Sequence, residues 1–143
     1  MKESCWPKGV QVIQFPQHVD ERGVLTFGEG GIHVPFDVRR IFWITDVPAG
    51  QVRGGHAHRT CHEVVCAVGG SFEIEVSDGR VSRVFRLSDA SEGLLIPAGV
   101  WCELRHFSPG TVCLVAASQA YDAGGYIHDH AIWLEEQRRR NEQ

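Results

Sequence analysis

The shortness of its apolar runs is what most limits how this chain can fold. From Val10 onward, brief stretches of β-branched, aromatic and aliphatic residues are cut by Gly, Pro and Asp at close intervals. That rhythm leaves little room for helices and predicts a β-sandwich or barrel. Val10–Phe15 reads as a strand, and Asp20-Glu21-Arg22-Gly23 turns the chain into Val24–Phe27. The β-rich run Arg40–Val47 follows, closed by Pro48-Ala49-Gly50. Glu63–Val68 and Ser71–Val76 flank Gly69-Gly70, and Asp78-Gly79 is a hairpin signal leading into Val81–Leu87. Gly93–Ile96, Val100–Leu104 and Thr111–Ala117 complete the strands. Only the tail, His130–Arg140, predicts a helix. There Glu135 and Glu136 precede Arg139 and Arg140 by one helical turn, and Arg138-Arg139-Arg140 reads as a solvated helix end.

The 143 residues suit one domain, 1–143, with a core over roughly 10–134. Hydrophobic content of 43% and charged content of 22% are those of a globular chain. No apolar run approaches the roughly 18 residues of a membrane span. Met1–Pro7 carries no apolar run, so no secretory signal is expected. A formal charge of −4 argues against sequence-independent nucleic-acid binding, although a few converging arginines still suit one diphosphate. The five cysteines, Cys5, Cys61, Cys66, Cys102 and Cys113, are odd in number and form no CxxC pair. Reduced thiols in a cytoplasmic setting are the simplest expectation.

The most informative stretch runs from Gly50 through His56-Ala57-His58 and Glu63 to Gly70. On a strand, the two-residue spacing puts both imidazoles on one face. If the chain turns before Glu63, its carboxylate returns to the same pocket. This spacing matches the first motif of the cupin superfamily, in which two His and a Glu often hold a metal inside a jelly-roll barrel. The second cupin motif usually supplies a third His after a Pro-x-Gly turn. Here Pro97-Ala98-Gly99 leads to Val100-Trp101-Cys102, with a cysteine at that place and His106 four residues on.

The flanking residues narrow the resemblance. Arg53-Gly54-Gly55-His56-Ala57-His58-Arg59 resembles the RGxHAH(K/R) signature of the cupin-fold dTDP-sugar 3,4-ketoisomerases. Asp20-Glu21-Arg22-Gly23 resembles the family's D-x-R-G, and Pro35–Arg40 its PFxIKR segment. Ser77-Asp78-Gly79, Gly93-Leu94, Trp101, Ala117-Ser118, Tyr121-Asp122 and Tyr126-Ile127 recur in order, so the likeness spans roughly residues 11–134. It implies an all-β, cupin-type jelly-roll β-barrel with a short C-terminal helix, a homodimer, and no cofactor. The implied reaction moves the carbonyl of a dTDP-4-keto-6-deoxyhexose from C4 to C3, in unusual deoxysugar biosynthesis.

Such a shift takes a proton from C3, passes through an enediol and returns a proton to C4, while another moves between the oxygens. Imidazole, with an ordinary pKa of about 6.5, suits the carbon-bound proton. His56 or His58 is the candidate base, with Arg53 to stabilise the enediolate and Glu63 as a further catalytic candidate. Arg22 and Arg40 are candidates for the diphosphate, because guanidinium forks match phosphate geometry. Phe42 or Trp43 floors the sugar site or packs in the core. The resemblance adds Arg59, Trp101 and His128 to the substrate-binding set. Typical members carry a catalytic tyrosine in the strand Arg-Val-Tyr-Tyr-Ile. Here that strand reads Arg40-Ile41-Phe42-Trp43-Ile44, without a phenol. Two alternatives compete with the isomerase. One is a metal cupin using His56, His58, Glu63 and Cys102 or His106; the other is a non-catalytic sugar-nucleotide binding module.

Overall fold

A computed structural model describes residues 5–142; the Met1–Ser4 part of the N-terminal reading lies outside them. The early strands are β1 (Gln11–Gln14), β2 (Gln17–Asp20), β3 (Gly23–Thr26), β4 (Arg40–Thr45), β5 (Arg53–His58) and β6 (Glu63–Gly69). The later ones are β7 (Phe72–Ser77), β8 (Ser82–Leu87), β9 (Glu92–Ile96), β10 (Trp101–Arg105), β11 (Val112–Ala117) and β12 (Tyr126–Ile127). One helix, α1 (His130–Asn141), follows. The expected strands lie within a residue or two of these bounds. β2, β5 and β12 are not among the expected strands: β2 and β12 are too short and too polar or interrupted to show a pattern, and β5 opens on Arg53-Gly54-Gly55 with no apolar run.

The strands form two five-stranded sheets, ordered β1-β9-β6-β11-β4 and β12-β5-β10-β7-β8, plus the separate β2–β3 hairpin. This is the jelly-roll barrel expected from the resemblance. Strand alternation builds its interior: Phe72, Ile74 and Val76 of β7 point inward and are fully buried, while Glu73 and Glu75 face out. They meet Val65 and Ala67 of β6, Leu94 and Ile96 of β9, and Cys113 and Val115 of β11 in one apolar core.

α1 seats on the outer face of the second sheet. Asp129 caps it by accepting from the Ile132 backbone N–H at 3.0 Å. Trp133 is buried against Ala57, Trp101 and Ile127, and its indole donates to the Gly99 carbonyl at 2.7 Å. The helix therefore clamps the strand that carries the two histidines. At its end, Arg139 pairs with Glu135 as the spacing predicts, whereas Glu136 pairs with Arg59, just past β5.

Candidate active site

β5 carries the histidines, and a local irregularity aims them. Its pairing with β10 slips between Cys102 and Glu103, opposite Gly54. Gly54 has φ +82°, and a Cβ there would stand 2.9 Å from the Cys102 carbonyl oxygen, so only glycine lets the two backbones meet. Beyond this bulge the strand is regular. His56 and His58 share one face, with their rings 5.1 Å apart, while Ala57 is buried beneath Trp133 on the other.

His56 opens onto a cavity of about 440 Å³ between the sheets. Its walls include Phe42 and Ile44 of β4, Arg53 and Gly54 of β5, Glu63 and Val65 of β6, and Cys102 and Leu104 of β10. Tyr121, Ala123, Tyr126 and His128 line the cavity from the segment that follows β11. His58 sits behind His56, buried, with Nε2 3.2 Å from the equally buried Glu63 Oε2. The contact is too poorly aligned for a hydrogen bond and leaves both atoms without another partner. Burial, reinforced by neighbouring His58, pulls the His56 imidazole from 6.5 down to about 4, so it is uncharged at neutral pH. His56, His58 and Glu63 offer three ligand atoms within 4.8 Å of one another, a set that fits a divalent ion. Cys102 stands outside that set, and burial pushes its thiol well above the ordinary range, as expected of a packed thiol.

Several sequence expectations require correction. Trp43 does not floor the pocket: alternation along β4 turns Phe42 inward and leaves Trp43 62% exposed on the outer face. Trp101 is likewise turned away, because Cys102 and Leu104 take the inward positions of β10. Its ring packs on Trp133 and His130, and its indole donates to Glu103 at 3.2 Å. Arg59 also faces outward, donating to the Gly124 and Tyr126 carbonyls at 3.3 Å each. Arg22 sits at the β2–β3 turn, held by Asp20 and away from this chain's cavity walls. His106 pairs with Glu73 on the surface and is no ligand for the central set. The structure brings together His56, Glu63, Arg53, Phe42 and His128, with His58 directly behind.

Arg40 stands over the rings of Phe42 and Tyr121 and reaches the Tyr126 hydroxyl at 3.5 Å. Tyr121 and Tyr126 were not among the expected site residues. The period-two rule that pairs His56 with His58 also pairs Tyr126 with His128, and that signal was in the sequence.

A jelly-roll barrel whose interior holds a His-x-His pair and a glutamate defines a cupin. Within that class the chain belongs to the WxcM-like, C-terminal (FdtA) family, whose model matches residues 8–138. It is 32% identical over 120 residues to the TDP-4-oxo-6-deoxy-α-D-glucose-3,4-oxoisomerase of Aneurinibacillus thermoaerophilus, covering 84% of this chain and 86% of that protein. A mutant of the 3,4-ketoisomerase QdtA from Thermoanaerobacterium thermosaccharolyticum, solved with TDP-4-keto-6-deoxyglucose, superposes with a TM-score of 0.92 at 35% identity, covering 94% of this chain and 98% of that one. A 3,4-ketoisomerase from Helicobacter canadensis gives 0.88 at 34% identity, covering 91% and 98%.

Proposed function

We propose that this protein is a sugar 3,4-ketoisomerase acting on a TDP-linked 4-keto-6-deoxyhexose. The observation that carries the reading is the uncharged His56 facing a sugar-sized cavity, with Glu63 in the cavity wall and His58 buried behind. His56 takes the proton from C3, and the C–H electron pair becomes the C3–C4 double bond of the enediol. An imidazole near 4 is a weak resting base. It gains basicity as negative charge develops on the sugar, and the nearby Glu63 carboxylate also favours the imidazolium. The same imidazolium then returns the proton to C4. Arg53, at the cavity wall, stabilises the enediolate, and Phe42 packs against the sugar.

A second reading, a divalent ion held by His56, His58 and Glu63, is favoured by their donor set. Such an ion would polarise the sugar carbonyl. One experiment separates the readings. The protein is incubated with TDP-4-keto-6-deoxyglucose in deuterated water, with and without EDTA, and followed by NMR. Loss of the C3 proton and growth of a 3-keto sugar, both unaffected by the chelator, is the expected result. EDTA-sensitive turnover would favour the metal reading, and an unchanged sugar despite bound TDP would leave a binding module.

The assembly we propose is a homodimer. The β2–β3 hairpin pairs only with itself and exposes Val19 (72%), Val24 (59%) and Leu25 (57%), and edge strand β4 exposes Ile41 and Trp43. Apolar faces on an open edge support burial against a second copy. All five cysteines are free thiols, which supports a reducing, cytoplasmic setting. No helix among the described residues is long and apolar enough to cross a membrane.

A further inference from the structure

Moving a carbonyl along a carbon chain shifts two protons, and His56 accounts for the one on carbon. The other must leave O3 and arrive at O4. That task needs a group that both gives and takes a proton at the cavity surface. Cys102 is unsuited, since burial disfavours its thiolate. Glu63 is packed against His58. Tyr121 is 68% exposed.

Tyr126 is placed differently. Its residue pairs with His58 across the β12–β5 ladder, which sets its ring 4.3 Å from the His58 ring. The His56 ring stands edge-on at 5.1 Å, and the His128 ring lies parallel at 5.6 Å. Three imidazoles and a backbone ladder thus define where the phenol sits in the cavity wall. Its oxygen accepts from Arg40 Nη1 at 3.5 Å. One lone pair is engaged, and the O–H remains able to donate.

We infer that Tyr126 is a catalytic residue whose phenolic hydroxyl carries the proton between O4 and O3, with Arg40 as the positioning residue for its oxygen. The inference rests on the 3,4-ketoisomerase reading above. As His56 removes the C3 proton, the C4 carbonyl π pair takes the Tyr126 proton and becomes O4–H. The phenolate then takes the O3 proton, and the freed O3 pair becomes the C3 carbonyl. The C3–C4 π pair takes the proton from the His56 imidazolium at C4. Both residues end as they began, and no oxidant or reductant is needed.

The test compares wild type, Tyr126→Phe, Tyr121→Phe and Arg40→Gln in the same NMR assay, with TDP binding and thermal melts measured alongside. Phenylalanine keeps the ring stacks and removes one oxygen. Tyr126→Phe is therefore expected to melt and bind TDP like wild type while kcat falls about 10²–10⁴-fold. Arg40→Gln is expected to lower kcat in the wild-type background and to change it little when made in Tyr126→Phe, because it acts through the phenol oxygen. Tyr126→Phe turning over within about threefold of wild type overturns the inference. So does loss in Tyr121→Phe alone, or an Arg40→Gln loss that is equally large in the Tyr126→Phe background. Inert wild-type protein overturns the isomerase reading itself, and is told apart because no variant is involved.

Discussion

At the scale of single residues, the site is governed by what burial does to charge. His56 is held neutral by desolvation and by His58, with a folded pKa of about 4 against 6.5 for the free imidazole. Between those values the unfolded chain binds more protons than the folded one, so stability rises with pH. The His56 contribution is therefore fully present above 6.5 and is lost as pH falls toward 4. His56→Asn is expected to flatten that slope in urea melts taken from pH 4 to 7. The same substitution should lower kcat by about 10²–10⁴-fold while TDP still binds. In wild type, the acid limb of kcat/KM should fall near 4 rather than near 6.5, since the neutral ring is the active form. An acid limb near 6.5 would move the base assignment away from His56.

At the scale of elements, the catalytic strand is held from both sides. The bulge at Gly54 aims β5 inward, and α1 locks its outer face through Trp133. The indole is fully buried and hydrogen-bonded to Gly99, in the turn that leads into β10. Truncating such a side chain removes packing and leaves a cavity. Trp133→Ala is expected to cost about 3–5 kcal/mol in chemical denaturation and to release α1, detected as lost helical circular dichroism. Activity should fall with it, because β5 and β12, which carry His56, His58 and Tyr126, lose their common support. Retained activity in a folded Trp133→Ala protein would show that the sheets alone position the site.

At the scale of the molecule, the unshared surface lies on the β2–β3 hairpin and on edge strand β4. Their exposed apolar residues, Val19, Val24, Leu25, Ile41 and Trp43, take no part in this chain's own core. Leu25→Lys combined with Trp43→Glu is expected to leave the thermal midpoint of dilute protein little changed while halving the mass seen by light scattering. A mass that is already monomeric in wild type would remove the homodimer proposal.

Legibility followed the range of the forces involved. The barrel class, nine of the strands and the C-terminal helix could be read locally, because alternation, turn residues and capping act over a few neighbours. His56, His58 and Glu63 were legible for the same reason, as two lie on one strand face and the third follows one turn later. The orientation of Trp43, Trp101 and Arg59 was not, although each stands next to a residue of the site. A strand sends neighbours to opposite faces, and only the pairing of whole sheets decides which face is inside. Tyr126 shows the converse. It lies nearly seventy positions from His58 along the chain, and the β12–β5 register alone sets it against that ring. Local chemistry determined which residues are able to move protons, and long-range pairing decided which of them meet.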